Sequence, residues 1–130
     1  MRLNLDDSGQ RFVVRGFTET AVRINQDEIS ISFLLTPEQL IERVPLHTVA
    51  ALQAGELNWL YTDAPEVLII GTGLRTVRAQ PAVQAELLRA GVGVEFMDTG
   101  AACRTYTVLA SELRRVSLLV LFPEETRLNN

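Results

Sequence analysis

Lysine is absent from this sequence, and all of its basic side chains are arginine. Schiff-base chemistry and a Walker-type phosphate loop both need an ammonium at the reacting position, so both are excluded. Cysteine occurs once, as Cys103, which rules out an internal disulfide. The only histidine is His47, which with one cysteine leaves too few ligands for a zinc-finger type of site, and neither metal nor cofactor is expected. A surplus of positive charge is missing too. With a net charge of −4 and a pI near 5.0, the chain carries no electrostatic footprint for nucleic acid or an anionic membrane. No apolar run approaches the roughly 20 residues of a membrane span, so insertion is not expected. The stretch Met1 to Asp7 lacks an apolar core and carries early acids, which is the pattern of neither a signal nor a transit peptide; the cytoplasm is the expected compartment.

What is present is the composition of a folded protein, 47% hydrophobic and 22% charged. A length of 130 residues fits one domain that buries a real core without disulfides or metal. Residues 1–10 and 124–130 are expected to be a loose leading segment and a loose tail. The stretch that organises the rest is Pro65 to Gly73. Val67, Leu68, Ile69 and Ile70 form an unbroken aliphatic run, the pattern of a parallel strand covered on both faces. Gly71 and Gly73 follow, where the backbone can take φ > 0 or accept a close neighbour, with Thr72 between them at the strand's carboxyl end.

In chain order, Arg11–Phe17 and Thr20–Ile24 read as strands, with Gly16 marking a bend or bulge. Asn25-Gln26-Asp27 is turn chemistry. Glu28–Leu35 alternates, Ile29, Ile31 and Phe33 on one side and Ser30 and Ser32 on the other, as in a half-exposed antiparallel strand. The first quarter is thus an antiparallel meander. Thr36-Pro37-Glu38-Gln39 fits either a helix capping box or a hairpin corner, so Leu40, Ile41 and Val44 stay open between helix and strand, with Pro45 ending both. From His47 to Tyr61 the apolar spacing suits two short helices broken near Gly55. Then come strand Val67–Ile70, a helix from about Pro81 to Ala90, strand Val92–Phe96, a helix from about Ala101 to Leu113 and strand Val116–Phe122. This alternation predicts a parallel βαβαβ unit, and with the meander an α/β fold on a mixed sheet.

Parallel strands end on one edge of their sheet, so Gly71-Thr72-Gly73 and Met97-Asp98-Thr99-Gly100 are expected to face one another there, where ligands bind in open α/β sheets. Asp98 or Thr99 would cap the following helix, whose free N–H groups favour an anion or a polarised oxygen. Arg75 and Arg78 leave the glycine loop toward the same crevice. The candidate ligand or partner edge therefore comprises Gly71, Thr72, Gly73, Arg75, Asp98, Thr99, Cys103 and Arg104. Gly71-x-Gly73 begins a dinucleotide fingerprint, but Thr76 stands at the third glycine position, and a tight turn is the preferred reading. Cys103 reads first as a small buried hydrophobe, with a reactive thiol at a helix N-terminus as the alternative. No base is placed beside it, and His47 is assigned no role.

Pro65 to Gly73, Gly91 to Thr99 and Ala101 to Tyr106, in that order and spacing, resemble the domain-of-unknown-function family that includes mitochondrial complex I assembly factor 3 and an adipogenesis-associated protein. The resemblance runs from about Phe12 to Pro123. It implies a mixed sheet with helices, extended by an N-terminal hairpin layer, and favours a strand at Gln39–Glu42. The recurring family features are matched here by Gly71, Thr72, Gly73, Asp98 and Thr99, and the resemblance brings no catalytic activity with it. The leading expectation is a non-catalytic binding or assembly-accessory protein with a protein partner. The alternative is an enzyme or sensor holding a small anionic ligand at the two loops. Self-association is left open, because Val116–Phe122 fits a central or an edge strand equally.

Overall fold

The computed structural model describes residues 10–123; residues 1–9 and the 124–130 tail lie outside it, while Gln10 is buried. Three strands, β1 (Val14–Phe17), β2 (Val22–Ile24) and β3 (Asp27–Ile29), form a small antiparallel sheet in sequence order. Its register shifts between Val14 and Gly16, where the sequence places a bulge. Asn25 takes φ 55° in the turn between β2 and β3, and its side chain ties that turn to the chain ahead of β1. Its carbonyl oxygen accepts from Val13 N at 2.9 Å, and its amide donates to Arg11 O at 3.2 Å.

A five-stranded mixed sheet follows, built from β4 (Phe33–Leu35), β5 (Leu40–Ile41), β6 (Val67–Gly71), β7 (Gly93–Met97) and β8 (Val116–Val120) in the order β5-β4-β8-β6-β7. β6 runs parallel to both β7 and β8, whereas β4 is antiparallel to β8 and β5. Helices α1 (Pro81–Arg89) and α2 (Thr99–Ser111) make the crossovers. Pro81 supplies the preset φ of a first helical residue, and Gly91, at φ 83°, closes α1 in the left-handed region. The helices take opposite faces. Ile69, Leu118 and Val120 share one core with Ala102, Cys103 and Tyr106 of α2 and with Val22, Ile24 and Ile29 of the small sheet. Leu68, Ile70 and Leu119 share the other with Val83 and Leu87 of α1 and with Leu52, Leu57 and Leu60. An unbroken apolar strand is what two-sided burial requires.

Two expectations change. Glu28–Leu35 is not one alternating strand: β3 ends at Ile29 in the small sheet, and the chain enters the large sheet at Phe33. Ser32 is buried at the crossing; its hydroxyl accepts from Phe122 N at 2.8 Å and donates to Phe122 O at 3.2 Å, extending the β4–β8 ladder by one side-chain rung. Ile31 is turned outward, 48% exposed. The two helices expected across His47–Tyr61 are single 3₁₀ turns, Val49–Ala51 and Asn58–Tyr61, separated by Gly55 at φ 87°. The alternative left open for the last strand also resolves: β8 is central, and β5 and β7 form the edges. The open choice at Thr36 resolves as a hairpin corner leading into β5. The Thr36 hydroxyl accepts from Glu38 N and Gln39 N at 3.1 and 2.9 Å and donates to Asp63 Oδ2 at 2.6 Å, so a capping-box sequence serves a β-turn.

One buried group in the α2 core stands out energetically. The Tyr106 hydroxyl is fully buried and has no hydrogen-bond partner among the described residues, and burial pushes its pKa upward. A buried, unbonded hydroxyl costs desolvation without return, so Tyr106→Phe is expected to leave stability unchanged or raise it by up to about 1 kcal/mol. A urea midpoint lowered by that much would contradict this environment.

Candidate functional site

β6 leads toward α1 on one face of the sheet and β7 leads toward α2 on the other, so the loops after these adjacent strands diverge, as at the ligand crevice of open α/β sheets. The loops are tied to each other. Thr72 N donates to Met97 O at 2.8 Å, Thr99 N to Gly73 O at 2.9 Å and Gly73 N to the Thr99 hydroxyl at 2.9 Å. The Thr72 hydroxyl lies within hydrogen-bonding reach of the Met97 and Arg75 carbonyls and accepts from Val77 N, so it holds its own loop in place. Asp98 caps α2, with Oδ1 accepting from Ala101 N at 2.9 Å. The Thr72 and Thr99 hydroxyls, Asp98 Oδ1 and two of the free N–H groups at the start of α2 are thus engaged internally.

Little room is left for a side chain where β6 ends. A Cβ on Gly71 would stand 3.2 Å from Thr99 Cα and 3.3 Å from Ala102 Cβ, because the end of β6 packs directly on the first turn of α2. Gly73 takes φ 96°, which a side chain would strain. Gly100 is pressed by the Phe17 ring, which would lie 2.9 Å from a Cβ there. The β1–β2 turn therefore covers the start of α2, and the Arg104 guanidinium lies over the same ring, 5.7 Å from its centroid.

Beside the tied loops lies a groove of about 940 Å³. Phe17 to Thr20 form one wall, His47 to Ala50 another, and the segment Thr72 to Arg75 with Val77 a third; Asp98, Thr99, Gly100 and Arg104 of the α2 start and Leu121 to Pro123 complete it. Three large apolar side chains in it are exposed, Leu74 at 77%, Val77 at 45% and Phe17 at 39%. Among the described residues the ion pairs join Arg114 and Arg115 to Glu66, leaving Arg75 and Arg104 at the groove without a carboxylate partner. No group of three or more His, Cys, Asp or Glu side chains comes together among the described residues.

Of the residues singled out from sequence, Thr72, Gly73, Arg75, Asp98, Thr99 and Arg104 line this groove, whereas Gly71 is buried against Thr99 and Ala102 and is not part of its lining. Cys103 does not. It faces the core on the inner side of α2, 1% exposed, and burial pushes its thiol up to about 12 against the opposing influence of Arg104. A thiol reagent at pH 8 is expected to leave native Cys103 essentially unmodified and to label it promptly in denaturant; fast native labelling would contradict the burial. Arg78 is exposed but is not part of the groove wall. His47, Phe17, Leu74 and Val77 are groove residues that sequence reasoning did not select. Leu74 and Val77 carried a signal, being large apolar residues in a loop with no periodicity to bury them. The capping role of Asp98 gives a local test: Asp98→Ala is expected to cost about 1 kcal/mol, read by thermal or chemical unfolding.

Fold and site together define a mixed α/β domain with a groove at its strand-switch edge, built from interlocked loops. The chain belongs to the family described as protein of unknown function (DUF498/DUF598), which matches residues 14–121. Among curated proteins it is 30% identical over 112 residues to NADH dehydrogenase (ubiquinone) 1 alpha subcomplex assembly factor 3 of Danio rerio, covering 85% of this chain and 64% of that protein. The chain thus spans a little under two-thirds of that relative's length. It is 26% identical over 99 residues to a 13 kDa major membrane protein of Francisella tularensis, covering 75% of this chain and 80% of the relative. An NMR structure of a Xanthomonas campestris protein superposes with a TM-score of 0.80 at 32% identity, over 100% of both chains. No helix among the described residues is long and apolar enough to cross a membrane.

Proposed function

We propose that this chain is a non-catalytic, assembly-accessory binding module whose groove at the carboxyl ends of β6 and β7 receives a segment of another protein. The observation that carries the reading is how the loop polar groups are used. The Thr72 and Thr99 hydroxyls and Asp98 Oδ1 hold the loops and the helix start, while Phe17, Leu74 and Val77 are left exposed toward the groove. A reacting site needs unengaged acids, bases or donors aimed at substrate, whereas a docking groove needs apolar anchors on a rigid frame. The name of the Danio rerio relative, an assembly factor, agrees with a protein partner. One compact domain working in the cytoplasm is part of the same proposal.

The test is affinity capture from the source cell with the native chain and a Leu74→Asp, Val77→Asp variant, both checked for folding. A stoichiometric protein captured by the native chain and lost by the variant supports the reading; equal capture by both, or none by either, counts against it. A second reading, a small anionic ligand, is favoured by Arg75 and Arg104, which have no ion-pair partner among the described residues. It predicts that inorganic phosphate raises the melting temperature relative to chloride at equal ionic strength, and that Arg75→Ala abolishes the rise.

A further inference from the structure

The groove combines its apolar side chains with a local charge balance unlike that of the whole protein. The chain is acidic, with net charge −4. Four ionisable carboxylates and guanidiniums line the groove, Arg75, Arg104, Glu19 and Asp98, beside the imidazole of His47. Their commitments differ. Asp98 uses Oδ1 on the Ala101 N–H at the positive end of α2, so its charge is partly offset where it stands. Arg104 lies over the Phe17 ring, which orients the guanidinium without neutralising it, and Arg75 has no carboxylate within ion-pair distance among the described residues. At the opposite edge Arg114 and Arg115 both meet Glu66, so that edge satisfies its own arginines. Among the described residues, the groove is left with two guanidiniums outside any ion pair, against Glu19 and an Asp98 already turned to the start of α2.

We propose that the segment received by this groove is acidic as well as apolar: leucine-like side chains against Phe17, Leu74 and Val77, with flanking carboxylates on Arg75 and Arg104. This rests on the docking reading and adds the chemistry of the partner. Guanidinium is the group for the task, because its planar fork meets a carboxylate with two parallel N–H donors. Leu74 and Arg75 are adjacent in one loop, so an apolar anchor and a carboxylate clamp are presented side by side. Unpaired rim charges of this kind steer a complementary partner and reject a cationic one.

The probes are two fluorescein-labelled peptides, one of leucines and glutamates and one with lysine at every glutamate position, titrated by fluorescence anisotropy against the native chain and an Arg75→Glu, Arg104→Glu variant. The native chain is expected to bind the glutamate peptide at least about tenfold more tightly than the lysine peptide, and the variant to reverse that order. Both substituted side chains are exposed, and the fold of the variant is to be checked by circular dichroism. Equal affinity for the two peptides, preference for lysine, binding of neither, or an order unchanged in the variant would overturn the proposal. The same variant in the capture experiment separates this claim from the one beneath it. A partner lost by Leu74→Asp, Val77→Asp but held unchanged by the arginine variant leaves docking intact and removes the acidic chemistry; failure of both variants to alter capture removes docking itself.

Discussion

Leu74→Asp with Val77→Asp is expected to weaken partner binding by at least about thirtyfold, close to 2 kcal/mol, while leaving the fold intact. Both residues are in the loop between β6 and α1, 77% and 45% exposed, so neither supports the core and a carboxylate on either is hydrated in the free protein. In a complex the balance inverts. A buried carboxylate facing an apolar anchor keeps its desolvation penalty and gains no partner, and the anchor it replaced no longer contributes its buried area. Unfolding by urea should therefore match the native protein, while titration against the captured partner should not. Equal affinity of native and variant protein would show that this loop is outside the interface.

Gly71→Val is expected to destabilise the fold by about 1–3 kcal/mol and to loosen the loops together. The neighbours that a Cβ would meet are the Thr99 Cα and the Ala102 Cβ, backbone and near-backbone atoms of the first turn of α2, which cannot rotate away as a long side chain can. α2 would have to shift outward from β6. Gly73 N to the Thr99 hydroxyl and Thr99 N to Gly73 O run across that same contact, so both would stretch. A lowered denaturation midpoint with faster amide exchange at Gly73 and Thr99 is the expected result; an unchanged midpoint would mean that α2 does not seat on Gly71 as closely as described.

The second half of the chain was legible because its signals are local. Val67–Ile70 is an unbroken aliphatic run and Val116–Val120 one interrupted only by Ser117, Pro81 and Gly91 bracket α1, and Asp98 stands where α2 needs a cap. Those signals brought Gly71, Thr72, Gly73, Arg75, Asp98, Thr99 and Arg104 to one edge. The first half was less legible, because its decisive contacts are distant in sequence. Alternation across Glu28–Leu35 does not record that the chain changes sheets, and the reason it does, Ser32 bonding Phe122, spans 90 residues. The apolar groove was hidden for the same cause: its walls come from the β1–β2 turn, the His47–Ala50 segment and the chain after β8 as well as from the two loops. Cys103 and Arg104 are neighbours in sequence, yet the turn of the helix sends one into the core and the other to the groove.

Amide hydrogen exchange of the protein alone and with its captured partner bears most directly on the claim that the groove is the working surface. Docking predicts new protection confined to residues 17–20, 47–50, 72–77 and 121–123, with β5 and the exposed edge of β7 unchanged. Protection concentrated on β7, or at the opposite edge around Glu66 and Arg114, with the groove segments exchanging as in the free protein, would contradict it.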